Sequence, residues 1–364
     1  MKILLLVTGG RGGSDFFQGL LDDHSQIIQF PGLFNNEKIF DILNLNNPHE
    51  ISNKFIKAFP NFFNSRIRTP LSKRERHDNL GPRRNRYYKL STKKFSKNFI
   101  KISEKNSLTK INILKNLHLA YDLTKEKKLG KKKIIFVHTH IIEFTKRFVE
   151  FMDIKDFTII HTMRNPLSAI NSPVKNWLNF KSGKGFFPKN LYFQLDLALK
   201  GIAELSKISK EIFIVQLEKL HWEHKKVMYD FCKIFKIKYE RCLEKPTFFG
   251  LQWWGDKVSN RWISGVNKNF KIIIDKNLFF SRDIVFFENV AENIIKFYKY
   301  NFIFKNKRNY LNLLPMKCEL LVWKNTFKHR RIKHIVSIPY FYLKRILLLN
   351  KFILRNNQLP YSIG

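Results

Sequence analysis

The sequence has few cysteines, few acidic residues and no long hydrophobic run, and each shortage excludes a class of protein. The three cysteines show neither CxxC nor zinc-finger spacing, which excludes a disulfide scaffold and predicts reduced thiols. No window holds about 18 uncharged apolar residues, so we expect no transmembrane helix. The apolar run at 3–7 is too short for the hydrophobic region of a signal peptide, and we therefore expect a cytoplasmic protein.

The shortage of acidic residues is the largest. Asp and Glu number 29 against 67 Lys and Arg, which gives the 364-residue chain a formal net charge of +38. Residues 64–101 hold 13 basic residues and two acids, and residues 305–364 hold 13 basic residues and one acid. This charge predicts anionic partners such as nucleic acid, a phosphorylated cofactor, an acidic glycan or a lipid surface. Hydrophobic residues make up 44% of the chain, which excludes global disorder.

Hydrophobic runs alternate with helical patterns along the chain. Four runs predict buried strands, at 2–8, 134–137, 157–161 and 212–215. The patterns between and after these runs predict helices at 14–23, 142–151, from Pro166 onward, 190–208 and 222–236. The alternation predicts an α/β fold, a three-layer parallel sheet with helical insertions.

A glycine-rich loop connects the first predicted strand to the first helix. Four of the five residues at 9–13 are glycine, and the fifth is Arg11. Glycines let backbone N–H groups approach an anion, and a helix N-terminus adds its positive end, so the loop predicts a P-loop-like phosphate site. A Walker A loop needs Lys directly before the hydroxyl residue, but Gly13 precedes Ser14. A dinucleotide fingerprint also fails, because Asp15 takes the third glycine position.

Two further polar motifs follow predicted strands. Arg164 follows the third strand and Ser172 lies eight residues beyond it, so a guanidinium fork and a hydroxyl could grip one phosphate. His140 closes the second strand, and Glu143 lies one helical turn away. Because ligands of open α/β sheets bind at the carboxyl ends of strands, these motifs are expected near the glycine-rich loop.

Together the motifs resemble the sulfotransferases that use 3′-phosphoadenosine 5′-phosphosulfate (PAPS). Arg11-Gly12-Gly13-Ser14-Asp15-Phe16 is similar to the family's loop for the 5′-phosphosulfate, and residues 20–27 are similar to the helix end that follows it. Arg164 and Ser172 match the pair that binds the 3′-phosphate in that family. His138-Thr139-His140 resembles the Lys-Thr-His segment that supplies the catalytic base, with His138 where the family often has Lys.

The resemblance implies a role for each matched residue. Arg11 would stabilise charge on the transferred group and His140 would be the general base, with Glu143 as the rival base. Phe16 would pack near the adenine, and no metal is expected because this donor travels without Mg²⁺. The donor-binding residues would be Gly10, Arg11, Gly12, Gly13, Ser14, Asp15, Phe16, Arg164 and Ser172, with Arg261, Ser264 and Gly265 in a closing loop.

The resemblance does not extend to residues 33–130 or 305–364. We expect an α/β sulfotransferase domain at 1–304, with a basic acceptor-side insertion at about 33–130 that is irregular at 64–101. Residues 305–364 are predicted to be a basic, partly amphipathic extension. The charge outside the donor site predicts a glycan or glycolipid acceptor. The helical pattern at 341–355 predicts either peripheral contact with a membrane or a helix that docks on the domain.

Two other classes of protein stay open. A P-loop kinase or NTPase would share the glycine-rich loop, but the Walker Lys is missing and no metal-binding acid ends the strand at 157–163. A non-enzymatic nucleic-acid-binding protein would explain the charge. The sequence has no zinc finger, RRM signature or basic zipper, so a nucleic-acid partner is not expected.

Overall fold

The chain folds around a five-stranded parallel sheet. The structure is a computed structural model that describes residues 1–8, 11–69, 72, 75–125, 132–178, 186–257, 262–304, 313–329 and 332–354. The strands are β1 (Lys2–Thr8), β2 (Ile27–Gln29), β3 (Ile134–His140), β4 (Phe157–Met163) and β5 (Ile212–Gln216). Their order is β2-β3-β1-β4-β5, and each neighbouring pair is parallel. The four predicted strands are therefore confirmed, and β2 was not predicted.

Helices cover both faces of the sheet. In the described part of the chain the helices are α1 (Ser14–Leu21), α2 (Lys38–Leu43), α3 (Pro48–Ala58), α4 (Pro60–Phe63), α5 (Thr92–Ser103), α6 (Lys110–Thr124), α7 (Ile142–Met152), α8 (Pro166–Leu178), α9 (Pro188–Leu205), α10 (Leu217–Trp222), α11 (His224–Ile234), α12 (Ser281–Val290), α13 (Glu292–Phe297), α14 (Lys317–Lys328) and α15 (Ile332–Leu354). A short hairpin pairs β6 (Thr247–Phe248) with β7 (Leu251–Gln252). The predicted helix at 222–236 is confirmed as α11, whereas α10, which ends at Trp222, was not predicted.

Alternate residues of β1 enter different hydrophobic cores, as the period of two in a strand requires. Leu5 and Val7 pack in a core with α2 to α7, whereas Leu4 and Leu6 pack in a core with α1 and α11. Both faces of the sheet are thus covered by helices, which confirms the predicted three-layer α/β class.

The basic segment 64–101 is more ordered than the sequence analysis predicted. Its last third begins α5, where Phe95 and Phe99 are fully buried in the core. The side chain of Ser91 caps this helix by accepting a hydrogen bond from the Lys94 N–H at 3.1 Å. The prediction of an irregular segment is therefore wrong here, because two phenylalanines four residues apart supply the apolar face of a helix between its lysines.

The last two helices pack on α8, α9 and α12 through a shared apolar cluster. Val322 of α14 and Leu349 of α15 are completely buried in it. Arg345 of α15, itself buried, pairs with Glu319 of α14 at 2.7 Å. This contact matches the docked alternative for the C-terminal helix, although position 355 lies outside the described residues. In the described ranges no helix is both long enough and apolar enough to cross a bilayer.

Candidate active site

A cleft of about 490 Å³ opens where the carboxyl ends of β1, β3 and β4 meet. Here the strand order reverses, with β3 on one side of β1 and β4 on the other, and open α/β sheets bind ligands at such points. The volume is in the range of about 300–1,000 Å³ that is usual for small-molecule sites. Nine predicted site residues line the cleft: Arg11, Gly13, Ser14, Asp15, Phe16, His140, Arg164, Ser172 and Gly265.

Of the other five predicted residues, three do not line this cleft and two lie outside the described part of the chain. Gly12 is on the side of the loop that packs against β4. The Ser264 hydroxyl accepts a hydrogen bond from Nε2 of Gln252 at 2.8 Å. Glu143 is exposed in the first turn of α7, so the structure does not bring it to the other predicted residues. Gly10 and Arg261 lie outside the described residues.

The glycine-rich loop lies against β4 and α10 because two of its glycines have no side chain. A Cβ at Gly12 would lie 2.5 Å from the carbonyl oxygen of Thr162. Gly13 has a φ of 83°, in the left-handed region, and a Cβ there would lie 2.5 Å from Cδ1 of Leu217. Ser14 then begins α1, so that a helix N-terminus borders the cleft and favours an anion there.

Two carboxyl groups adjoin the Arg11 guanidinium. Asp256, which the sequence analysis did not predict, lies 2.8 Å from Nη2 of Arg11. The pKa of Asp15 is raised from 3.8 to about 7, mainly by burial and also by the nearby Asp256, while Arg11 acts in the opposite direction. The Asp15 side chain is therefore partly protonated at neutral pH, which reduces the negative charge in the glycine-rich loop.

The backbone is distorted where it carries His140. The pairing of β3 with β1 changes register at this point, and His140 has a φ of 61°. The N–H of Ile141 donates to the carbonyl of Thr139 at 2.7 Å, which closes a tight turn around the histidine. Burial and, to a smaller extent, the nearby Arg11 together lower the pKa of His140 to about 4. The imidazole is thus neutral at pH 7 and can accept a proton.

A chain of hydrogen bonds fixes the tautomer of His140. The Gln18 Nε2 donates to the carbonyl of Phe30 at 2.8 Å, which orients the amide so that its Oε1 faces Nδ1 of His138 at 2.8 Å. His138 is neutral because burial holds its pKa well below the usual value. Its Nδ1 therefore donates to Gln18, and its Nε2 accepts from Nδ1 of His140 at 3.2 Å. The lone pair of His140 is left on Nε2.

Arg164 places a guanidinium in the cleft with part of its hydrogen-bonding capacity unused. Its Nη2 donates to the Ser168 hydroxyl at 2.6 Å, and its buried Nε has no partner among the described residues. Burial lowers the pKa of Arg164, and the carboxylate of Glu218 opposes that shift. Glu218 is itself held by the N–H of Asn165 at 2.9 Å. An anion entering the cleft can therefore satisfy the free N–H of a positioned cation.

Aromatic rings border the loop on its helix side. Phe16 stacks on His221 with ring centres 4.7 Å apart, and His221 stacks on Phe270 at 4.5 Å. Burial lowers the pKa of His221 to about 4, so this ring is neutral at pH 7. One face of Phe16, the residue predicted to contact adenine, is thus already covered by an imidazole.

Three other residues of the cleft carry a buried polar atom that has no hydrogen-bond partner in the described part of the chain. The atoms are Oδ1 of Asn35, Oε1 of Gln194 and Nε1 of Trp253. The sequence analysis assigned no role to them, because Asn35 and Gln194 lie in no motif.

The described ranges contain no group of three or more His, Cys, Asp or Glu residues suited to hold a metal ion.

Comparison with known proteins gives only distant similarities. No family model and no curated protein matches the sequence. Among solved structures, the sulfotransferase domain of the Synechococcus PCC 7002 olefin synthase shares 14% identity at a TM-score of 0.38, covering 71% of this chain and 79% of that one. The sulfotransferase domain of the curacin biosynthetic pathway shares 15% identity at a TM-score of 0.37, and the match covers 89% of this chain and 96% of that one.

A third solved structure is sulfotransferase STF9 from Mycobacterium avium. It shares 11% identity at a TM-score of 0.34, and the match covers 66% of this chain and 65% of that one. Three structural neighbours are thus sulfotransferases or sulfotransferase domains. Scores and identities this low carry no argument about activity, so the function of this chain has to be argued from its own site.

Proposed function

We propose that this protein is a sulfotransferase that moves a sulfuryl group from PAPS to a hydroxyl or amine of an acceptor. One observation carries the proposal. A single cleft combines a glycine-rich loop bearing Arg11, a neutral imidazole at His140 and a half-buried guanidinium at Arg164 whose buried Nε–H is unused. PAPS has a phosphosulfate at one end and a phosphate on its ribose, which suits two separate arginines.

The P-loop kinase or NTPase alternative fits this loop less well. The lysine of a Walker loop would stand at position 13, where Gly13 has a left-handed backbone that disfavours any side chain, and where Leu217 would have to move to admit a Cβ. The residue after β4 is Arg164 rather than an acid that could hold Mg²⁺. These residues favour a donor whose charge is neutralised by arginines and backbone amides.

In the proposed complex, the residues divide between the two anionic ends of the donor. The N–H groups of 12–15 and the Arg11 guanidinium bind the phosphosulfate, and Arg164 with Ser172 binds the 3′-phosphate. PAPS supplies a sulfuryl group that is already activated by its bond to phosphate. Phe16 contacts the adenine, and the remaining residues assigned to the donor are Gly10, Arg261, Ser264 and Gly265.

In the proposed transfer, His140 accepts the proton of the acceptor hydroxyl at Nε2 while the acceptor oxygen bonds to sulfur. The bond between sulfur and the phosphate oxygen breaks, and its electron pair leaves with adenosine 3′,5′-bisphosphate. Arg11 and Ser14 stabilise the charge that develops on the leaving oxygen. The fixed tautomer and the cleft position support His140 as the base, whereas the exposed Glu143 has neither feature.

We also propose a glycan or glycolipid acceptor. The unpartnered atoms of Asn35, Gln194 and Trp253 offer two acceptors and one donor to sugar hydroxyls. The 33–130 insertion also places an arginine near the cleft. The guanidinium of Arg84 lies 4.6 Å from the ring centre of Trp262, and the next residue in the sequence, Ile263, lines the cleft. A stacked guanidinium is pre-organised for the carboxylate or sulfate groups of an acidic sugar.

Nucleotide binding tests the donor assignment. Adenosine 3′,5′-bisphosphate should raise the Tm of the protein more than adenosine 5′-phosphate does at the same concentration, because only the former reaches Arg164 with a 3′-phosphate. Equal shifts would contradict the assignment. Sulfur-labelled PAPS incubated with a panel of glycans and glycolipids should then give a labelled product. Turnover of ATP that requires Mg²⁺, without transfer from PAPS, would instead support the kinase or NTPase alternative.

A further inference from the structure

Helix α15 has two apolar faces, and the fold covers only one of them. Its inner face is buried on the domain through Ile338, Leu348 and Leu349. Five apolar residues on the other side are more than half exposed: Ile332 (76%), Val336 (72%), Tyr340 (53%), Leu343 (57%) and Leu347 (59%). We name these five residues the outer stripe. Isolated exposed apolar residues are ordinary, but a regular row of them on one helix is not.

The spacing makes the outer stripe continuous. Its members follow one another at intervals of four, four, three and four residues. At about 100° per residue they occupy an arc of roughly 80°, centred opposite the buried side chains, and they extend for about 22 Å along the helix. A helix that is apolar on two opposite faces is expected to bury both of them. The fold of this chain accounts for one face, and the outer stripe requires another partner.

The charge around the outer stripe indicates what that partner is. Lys333 is exposed, and the ammonium of Lys344 lies 4.6 Å from the ring centre of Tyr340. The stretch 305–364 contains 13 basic residues and one acid, Glu319, which is buried and paired with Arg345. That acid is therefore neutralised inside the fold, and Lys333 and Lys344, which flank the outer stripe on α15, are both cationic.

We propose that α15 lies flat on an anionic membrane surface, with the outer stripe at the boundary between headgroups and acyl chains. The lysines would then meet lipid phosphates and carboxylates, and Tyr340 would sit at the depth that amphipathic rings prefer. A second copy of the chain fits the stripe less well, because a two-fold contact would bring the lysines of both copies together. This inference is independent of the proposed transferase activity.

Vesicle binding by the full chain tests the proposal. The protein should sediment with vesicles of phosphatidylcholine containing about 30% phosphatidylserine, and much less with pure phosphatidylcholine, and salt should weaken the binding. The double variant Leu343→Glu, Leu347→Glu should bind at least about tenfold more weakly. Both side chains are exposed, so its Tm should stay near that of the wild type. The matched control Tyr229→Glu changes a residue of α11 that is 60% exposed, and it should bind like the wild type.

Three results would overturn the proposal. The first is no binding to the anionic vesicles at low salt. The second is binding that the double variant retains in full, because the lipid contact would then lie elsewhere on the cationic surface. The third is a soluble dimer, seen by sedimentation equilibrium without lipid, that the double variant dissociates, because the outer stripe would then belong to an interface between copies. A failure of PAPS turnover affects none of these measurements.

Discussion

Replacing Gln18 by leucine should change the tautomer of His140, a histidine that Gln18 does not touch. Gln18 is the acceptor that keeps the proton of His138 on Nδ1, and His138 in turn accepts from Nδ1 of His140. Leucine removes that acceptor. His138 can then carry its proton on Nε2 and donate it to Nδ1 of His140. The lone pair of His140 is used by that bond, and its Nε2, the nitrogen that acts as base in the proposed transfer, becomes protonated.

The size of the effect follows from the burial of His138, whose side chain is 1% exposed. A buried N–H that loses its partner costs about 1–3 kcal/mol, and the alternative tautomer of His138 avoids that cost. The equilibrium between the two tautomers should therefore shift by a factor of about 5–150. We expect kcat to fall by about tenfold or more, with the affinity for adenosine 3′,5′-bisphosphate nearly unchanged, because Gln18 does not line the cleft.

Ring-nitrogen chemical shifts measured by NMR report the tautomer directly, whether or not the protein transfers sulfuryl groups. The wild type should show His140 protonated on Nδ1, and Gln18→Leu should show it protonated on Nε2. Gln18→Glu, which keeps an acceptor oxygen, should restore the wild-type tautomer. Gln26→Leu is the control, since it removes another side-chain bond at the edge of the sheet, to the N–H of Lys238 at 2.7 Å, and should lower stability without altering kcat. Unchanged shifts in Gln18→Leu would refute the reasoning.

The remaining predictions concern donor binding, measured by calorimetry with adenosine 3′,5′-bisphosphate. Arg164→Ala should weaken binding by roughly a hundredfold while leaving the affinity for adenosine 5′-phosphate almost unchanged; an equal loss for both ligands would contradict a 3′-phosphate site. Gly12→Ala should lower affinity by about tenfold or more, because its Cβ meets the Thr162 carbonyl, whereas Gly201→Ala, with no atom closer than 3.8 Å, should bind normally. Wild-type affinity should fall by up to about tenfold between about pH 6 and pH 8, since the pKa of Asp15 is about 7 and its ionised form repels the ligand; Asp15→Asn should remove this dependence, and a retained one would assign it to another group.

The fold could be predicted where a local signal and the tertiary structure agree. The runs that became β1, β3, β4 and β5 are mainly hydrophobic and do not alternate strictly with polar residues, because both faces of the sheet are covered. The prediction failed at α5, where charge outweighed the apolar pair Phe95 and Phe99. It also missed β2, which has three residues and in the described part of the chain pairs only with β3, so its sequence is too short to show a period.

Of the residues in the candidate site, some could be predicted from the sequence and others could not. Arg11, His140 and Arg164 could be predicted because each lies at or just beyond the carboxyl end of a strand, and parallel strands bring these ends to one edge of the sheet. The groups that orient these side chains could not be predicted from the sequence. Gln18 reaches His138 across 120 residues of sequence, and whether its amide presents oxygen or nitrogen is decided by the carbonyl of Phe30. A sequence motif can thus identify the imidazole of a base, but only the folded environment determines which of its nitrogens carries the proton, and on that nitrogen the proposed chemistry depends.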